Sequence, residues 1–403
     1  MLSFLFINYV GGNMEIIYVA MVDSFKSGVE KKIIGQYEAM KKYANASLYL
    51  LMNRQPESSF LNEINEKKGK IIVPTVNTTN KVKRRINKLR LLEERIKNEH
   101  PNTQSIIYLR YPLADRYSYE LCLGLKEYQI ITEHQTLENQ FLKFKKVQWR
   151  YLPEVFWGKR VRRLVDGFVG VTREILEYEK KKKASKDFKG IVIGNGISTK
   201  NIKARNYEVE NESIIKLLFI GTPYPPHGLD RLIKSIKFWQ NNEPHRKTIK
   251  LNIVGYSKFA EEYKDLVRKL DLQESVQFHG FVENYKLDSF YDNNDIAIGS
   301  LALHRKNAQE TSELKAREYC TKGIPFICSS PDNDFPSSFP YRLQVSRGEA
   351  HLDINEIVDF VLRCRRSINH PIEMHEYSCN NLDWNKKINR LIKFLDEIIT
   401  TIT

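Results

Sequence analysis

The residues of this chain best suited to chemistry lie between Glu310 and Ser329, in the run ETSELKAREYCTKGIPFICS. Two carboxylates, Glu310 and Glu318, stand eight positions apart. Thr311 to Leu314 read as a loop feeding a short helix, and Gly323-Ile324-Pro325 leads on into a strand. A loop entering a helix N-terminus presents unpaired amides and the positive end of the helix dipole, which suits a diphosphate. A carboxylate a turn or more into that helix can accept hydrogen bonds from ribose hydroxyls, and one before the loop can do the same for a sugar. Lys315 and Arg317 lie on the same element, with Arg305 just upstream. Asp332-Asn333-Asp334 has the form of a metal-binding D-x-D, but it follows a strand and precedes Phe335-Pro336, so it reads as a turn or cap and no metal is expected.

These residues need a scaffold, and the apolar pattern supplies one. EIIYVAMV at Glu15 to Val22 is a buried-strand run, followed by a helical pattern from Glu30 to Tyr43. Strands are expected at Ser47 to Met52, Lys70 to Pro74, Ser105 to Arg110, Tyr128 to Glu133, Phe168 to Thr172 and Gly190 to Ile193, with an amphipathic helix over Lys81 to Glu99. The alternation restarts with strands at Ile215 to Ile220, Ile249 to Gly255, Val276 to Phe278, Ile296 to Ile298 and Ile324 to Cys328. Repeated strand–helix alternation implies α/β architecture, here two Rossmann-like doubly wound domains enclosing a cleft at the carboxyl ends of their strands. The expected division is a disordered tail or start artefact over 1–13, a first domain over 14–198, a linker over 199–213 and a second domain over 214–375. A terminal helix over 376–403, striped by Ile388, Leu391, Ile392, Leu395 and Ile398, is expected to pack across both domains.

Composition sets the outer limits. The 403 residues hold 64 Lys and Arg against 49 Asp and Glu, a net charge of +15 that attracts polyanions, anionic membrane or phosphorylated small molecules. The five cysteines are scattered without a C-x-x-C pair, which argues against a zinc site or a disulfide framework and points to the cytoplasm. No apolar run approaches the roughly 18 residues of a membrane span. Lys143 to Arg163 interleaves basic residues with Trp149, Tyr151, Phe156 and Trp157. That composition favours an anionic membrane interface, although it also suits single-stranded nucleic acid or a half-buried helix with a solvated basic face.

Glu-x7-Glu followed by Tyr-Cys-Thr-Lys-Gly-Ile-Pro resembles the donor-site signature of glycosyltransferase family 4, the retaining enzymes of GT-B fold. Ile220-Gly221 through His227-Gly228 to Ile233, Val276 to Phe281, Phe168 to Thr172 and Ile193 to Ile197 resemble further family segments in order. The resemblance implies that Glu318 binds the ribose of a nucleotide, that Glu310 contacts the transferred sugar, and that the amides of Thr311, Ser312, Leu314 and Lys315 hold the diphosphate. Gly280 and Phe281 would border the base, Gly28 in the first domain's first loop would lie near the phosphates and acceptor, and His134 would face the sugar. The family's usual arginine and lysine beside the diphosphate are replaced by Thr222 and His227, so other cations are needed. Arg231, Lys315 and Arg305 are the candidates, in that order.

The implied function is retaining, metal-independent transfer of a hexose-type sugar from a nucleotide diphosphate sugar, expected to be UDP-linked, with no other cofactor. The departing phosphate itself could take the acceptor's proton. The implied acceptor is a saccharide or lipid-linked glycan in surface polysaccharide synthesis, at the cytoplasmic face of an anionic membrane, with no nucleic acid partner. A homo-oligomer or a glycan-synthesis complex is compatible with this. Alternatives are a non-catalytic GT-B-fold partner subunit and a nucleotide-sugar epimerase of the same architecture.

Overall fold

The computed structural model describes residues 14–22, 28–76, 78–185, 187–209, 211–242 and 247–400, with the Ser59 side chain excepted. The expectation for residues 1–13 lies outside the described residues. The chain divides into two compact units, one of residues 1–194 with 384–403 and the other of residues 195–383.

The first unit runs β1 (Glu15–Val22), α1 (Gly28–Met40), β2 (Asn45–Met52), α2 (Ser58–Glu66), β3 (Lys70–Ile72), α3 (Lys81–Glu99), β4 (Ile106–Arg110) and α4 (Arg116–Gly124). It continues through β5 (Gln129–His134), α5 (Glu138–Phe144), α6 (Gln148–Arg163), β6 (Gly167–Gly170), α7 (Arg173–Lys183) and β7 (Gly190–Val192). All its strand pairs are parallel, in the order β3-β2-β1-β4-β5-β6-β7. The two faces of β1 feed different cores. Ile16, Tyr18 and Ala20 pack on one side, and Ile17 and Val19 face Leu89, Leu92 and Ile96 of α3 on the other. Burial on both faces is why β1 reads as an unbroken apolar run.

The second unit runs β8 (Ile214–Ile220), α8 (Leu229–Asn242), β9 (Thr248–Val254), α9 (Ala260–Lys269), β10 (Val276–Gly280), α10 (Leu287–Asp292) and β11 (Ile296–Ile298). It ends with α11 (Leu314–Lys322), β12 (Phe326–Cys328), β13 (Arg342–Gln344), α12 (Ile354–Arg366) and α13 (His370–Asn381). Its sheet, also parallel, has the order β10-β9-β8-β11-β12-β13. Both sheets therefore reverse direction of winding beside their first strand, between β1 and β4 and between β8 and β11. Ligands of doubly wound sheets bind outside the carboxyl ends of the strands at such a point.

Two boundaries differ from the sequence expectation. Residues 199–213 are part of the second unit rather than a free linker. Arg205 within them is buried and donates to the carbonyls of Gly323 (3.1 Å) and Tyr291 (2.9 Å), a commitment made to residues far along the chain. The terminal segment is two helices, not one. α13 belongs to the second unit, and α14 (Trp384–Thr400) belongs to the first, where Ile388, Leu391, Leu395 and Ile398 join the core of β1. Among the described residues no helix is long and apolar enough to cross a membrane.

Candidate functional site

At the carboxyl edge of the second sheet, glycines end three neighbouring strands. Gly221, Gly255 and Gly280 all have positive φ, of 138°, 124° and 64°. A Cβ on Gly255 would lie 1.9 Å from the Gly221 carbonyl oxygen, so this close approach requires glycine. Gly299, after β11, is closed in by the Ile327 carbonyl in the same way, 2.8 Å from an added Cβ. The result is an edge with little side-chain relief, bordered by exposed Thr222 and Phe281.

The N-terminus of α11 opens onto this switch point. Thr311 gives its amide to the Pro331 carbonyl (2.9 Å), which removes it from the expected set of phosphate donors. The first-turn amides that follow have no intrahelical partner by geometry. Ser312 is tied to the start of the unit, because its hydroxyl accepts from the Asn195 amide (2.8 Å) and its carbonyl accepts from the Asn195 side chain (2.5 Å). Glu313 accepts from the Ser300 amide after β11 (3.2 Å).

Lys315 turns its ammonium inward. Its Nζ is buried without a hydrogen-bond partner, 4.4 Å from the centre of the Phe219 ring and 3.8 Å from Glu313 Oε2. Burial lowers its pKa from the usual lysine value, although Glu313 opposes this. His227 Nδ1 is likewise buried and unpartnered. Burial holds His227 well below the usual imidazole range, and the charges of Lys315 and Lys306 add to the effect. Two polar nitrogens are thus held out of water at a helix N-terminus, in a positive field. The Lys315 ammonium, paired only loosely with Glu313 at 3.8 Å, is desolvated at a cost that an arriving anion offsets.

The other two expected phosphate cations are spent elsewhere. Arg231 is buried and donates to the carbonyls of Ala350 (2.6 Å), Leu301 (3.0 Å) and Ser346 (2.8 Å) and to Ser346 Oγ (2.9 Å). Arg305 makes a two-pronged pair with Asp230 (both 2.8 Å), a second with Glu349 (2.8 and 2.6 Å), and donates to the Pro225 carbonyl (2.8 Å). The Arg305 bond pulls Glu349 down to about 2. These arginines fix the turns on which His227 and Lys306 sit rather than facing a ligand. Of the three candidates, Lys315 alone stays beside the switch point with no hydrogen-bond partner. Lys306, which charges the same pocket, was not anticipated, because nothing in its local sequence announces it.

Glu310 is half-buried, with Asn333 Nδ2 donating to it at 3.4 Å, and Glu318 is half-buried on the second turn of α11. The D-x-D motif has a structural role. Buried Arg317 pairs with both Asp332 and Asp334 and donates to the Asn195 carbonyl (2.8 Å), which locks the helix start in place.

The first unit has its own polar cluster beside β4 and β5. Buried Lys32 of α1 donates to Gln135 Oε1 (2.5 Å) and pairs with Glu133 (3.1 Å), while Gln36 donates to Glu133 (2.8 Å) and receives the Tyr18 hydroxyl (2.7 Å). Arg110 Nη1 and Glu133 Oε2, 3.9 Å apart, and Gln135 Nε2 are buried without hydrogen-bond partners. Burial opposes ionisation of Glu133, but Lys32 and Arg110 outweigh it and hold the carboxyl below its usual value. Gly28 is exposed and opens α1 rather than lying in the loop before it.

His134 is a correction. It is the last residue of β5, fully buried, with Nδ1 2.9 Å from Glu138 and 3.2 Å from Glu179 and Nε2 3.0 Å from Thr132 Oγ1. Arg162 completes the network by pairing with Glu179 (2.5 Å), Glu154 (2.9 Å) and Glu138 (3.3 Å). With both ring nitrogens engaged and no exposed surface, it cannot face a sugar. His134, Glu138 and Glu179 are close enough to share a metal ion, but Arg162 already supplies their positive charge.

Comparison with known proteins agrees with this architecture. Residues 198–337 match the family described as Glycosyl transferases group 1. No curated protein matches the chain by sequence. Among solved structures, a glycosyltransferase from Rickettsia africae ESF-5 is 16% identical with a TM-score of 0.66, over 96% of this chain and 99% of that one. Anabaena HepE, in complex with UDP and glucose, is 11% identical with a TM-score of 0.65, over 95% and 100%. Sucrose-phosphate synthase from Thermosynechococcus elongatus is 14% identical with a TM-score of 0.66, over 96% and 100%. At these identities the likeness establishes the fold: this chain has GT-B architecture, two Rossmann-like units in one polypeptide, with the group 1 glycosyl transferase pattern carried by the second.

Proposed function

We propose that this protein transfers a hexose-type sugar from a nucleotide diphosphate sugar, with UDP as the preferred nucleotide, to a saccharide or lipid-linked glycan in the cytoplasm. The observation that carries this reading is the buried ammonium of Lys315 at the start of α11, which makes no hydrogen bond and lies 3.8 Å from Glu313, between Glu310 and Glu318 in the chain. A diphosphate placed there meets a cation, first-turn amides and the helix dipole together. Glu318 takes the ribose hydroxyls, Glu310 the hydroxyls of the sugar, and Gly280 and Phe281 border the base. The bare edge formed by Gly221 and Gly255 lets the backbone approach the ligand.

The chemistry follows from charge. As the glycosidic bond breaks, negative charge grows on the leaving diphosphate, where Lys315 and the amides stabilise it. His227, neutral in the empty site, can take a proton once the diphosphate offsets the field of Lys315 and Lys306. Attack from the leaving-group face gives retention, with the departing phosphate accepting the proton of the acceptor. Asp332 and Asp334 are committed to Arg317, which fits a reaction that does not draw on that motif for a metal. In the first unit, Arg110 Nη1 and Gln135 Nε2, which make no hydrogen bond, are the donors suited to acceptor hydroxyls.

Calorimetry with UDP, GDP and ADP tests the reading. Micromolar binding of one nucleotide, weakened at least tenfold in Lys315→Met, is expected. Failure to bind any of the three rejects it.

A further inference from the structure

The structure gives the segment from Glu138 to Arg163 a surface that its composition alone does not have. The segment contains eight basic and two acidic residues. Both acidic residues, Glu138 and Glu154, are buried and paired with the buried Arg162. All the carboxylates are thereby withdrawn from the surface together with one cation. What remains outside is cationic only, with Lys143, Lys145, Lys146, Lys159 and Arg163 exposed.

The same surface of α6 carries apolar groups that the fold does not cover. Trp149 is 75% exposed, Leu152 70%, Phe156 53% and Val155 43%. Trp149, Leu152 and Phe156 are spaced three and four residues apart, so they share one helix face. The half-buried arginines support this face. Arg160 lies over the Phe156 ring, 3.7 Å from its centre, and Arg150 lies 5.6 Å from the Trp149 ring. Stacked in this way, both guanidinium groups stay at the level of the rings.

We propose that α6 is a docking surface for an anionic lipid bilayer, with Trp149, Leu152 and Phe156 entering the headgroup region and the surrounding cations meeting lipid phosphates. An aromatic and aliphatic face accompanied by Lys and Arg, in a segment with no exposed carboxylate of its own, matches the interfacial zone in polarity and in charge. Leu152 and Val155 favour lipid over single-stranded nucleic acid, because aliphatic side chains offer no ring on which a base can stack. The surface lies outside both polar clusters described above, so its occupancy is measurable independently of sugar transfer.

The full chain is sedimented with vesicles of phosphatidylcholine alone and with vesicles containing 30 mol% phosphatidylglycerol. The anionic vesicles are expected to bind at least tenfold more tightly and to shift Trp149 emission to the blue, a shift absent from Trp149→Phe. Leu152→Ser/Phe156→Ser and Lys145→Glu/Lys146→Glu should each weaken binding at least tenfold while keeping the wild-type melting temperature and UDP affinity. Equal binding to both vesicle types, unchanged binding of either double variant, or tighter binding of oligo(dT) than of anionic vesicles in the same buffer would overturn the proposal.

Discussion

The ammonium of Lys315 lies 4.4 Å from the centre of the Phe219 ring, so a cation from the first turn of α11 rests on the penultimate residue of β8, where the second sheet reverses its winding. The ring face offers partial electrostatic compensation that a hydrogen bond does not supply here. Lys315 is therefore held ready for an anion at a cost to the empty protein.

This relation has a two-sided consequence. Lys315→Met should lower nucleoside diphosphate affinity by about tenfold to a hundredfold, the scale of one hydrogen bond to a charged group. It should change the melting temperature of the unliganded protein little, since relief of the desolvated charge offsets the loss of the loose 3.8 Å pair with Glu313. Calorimetry and thermal denaturation read the two effects separately. A loss of stability parallel to the loss of binding would make Lys315 structural.

His227 gives a pH signature. In the empty protein burial, Lys315 and Lys306 hold its pKa well below the usual value, so it is neutral. A bound diphosphate favours the imidazolium, which raises the pKa in the complex. The complex then binds more protons than the free protein, and affinity must strengthen as pH falls. UDP titrations across pH 5.5–8 should show a steeper rise toward acid for wild type than for His227→Gln. The variant comparison removes the nucleotide's own titration.

Arg231 predicts the opposite kind of result. Its four acceptors include the carbonyl of fully buried Leu301, and Arg231→Ala takes away that oxygen's donor. A stability loss of about 3 kcal/mol is expected. Chemical denaturation should report it, and nucleotide affinity per folded molecule should change little.

The strands, and the loop and helix that carry Glu310 and Glu318, were legible in the sequence because their signals are local. β1 and α3 have the predicted limits, since a strand buried on both faces and an amphipathic helix each carry their own periodicity. The assignment of cations was not legible. Arg231 is bonded to Ser346, 115 residues away, and Arg305 to Glu349, 44 residues away, and no local pattern reveals such pairings. His134 shows the same limit, because its Glu138 partner is near in sequence but Glu179 and Arg162 arrive from later helices.

The His134 network also titrates. Burial raises Glu138 to about 7, and the neighbouring Glu179 charge adds to the shift. A carboxyl raised above its unfolded value stabilises the fold below that unfolded value, near 4.5, and loses the contribution as pH climbs through about 7. The melting temperature of wild type should therefore fall relative to Glu138→Gln between pH 5 and pH 8, by a few degrees. Parallel curves for the two proteins would remove Glu138 from the account.

The central claim is sugar transfer from a nucleotide diphosphate donor at the start of α11. Its most direct measurement is nucleoside diphosphate release from a panel of UDP-, GDP- and ADP-sugars with saccharide and lipid-linked acceptors, comparing wild type with Glu310→Gln and Glu318→Ala. The account predicts acceptor-dependent release from one donor, a retained anomeric configuration in the product, and at least a hundredfold loss in each variant. Release from no donor by wild type, or equal release by wild type and both variants, would contradict it.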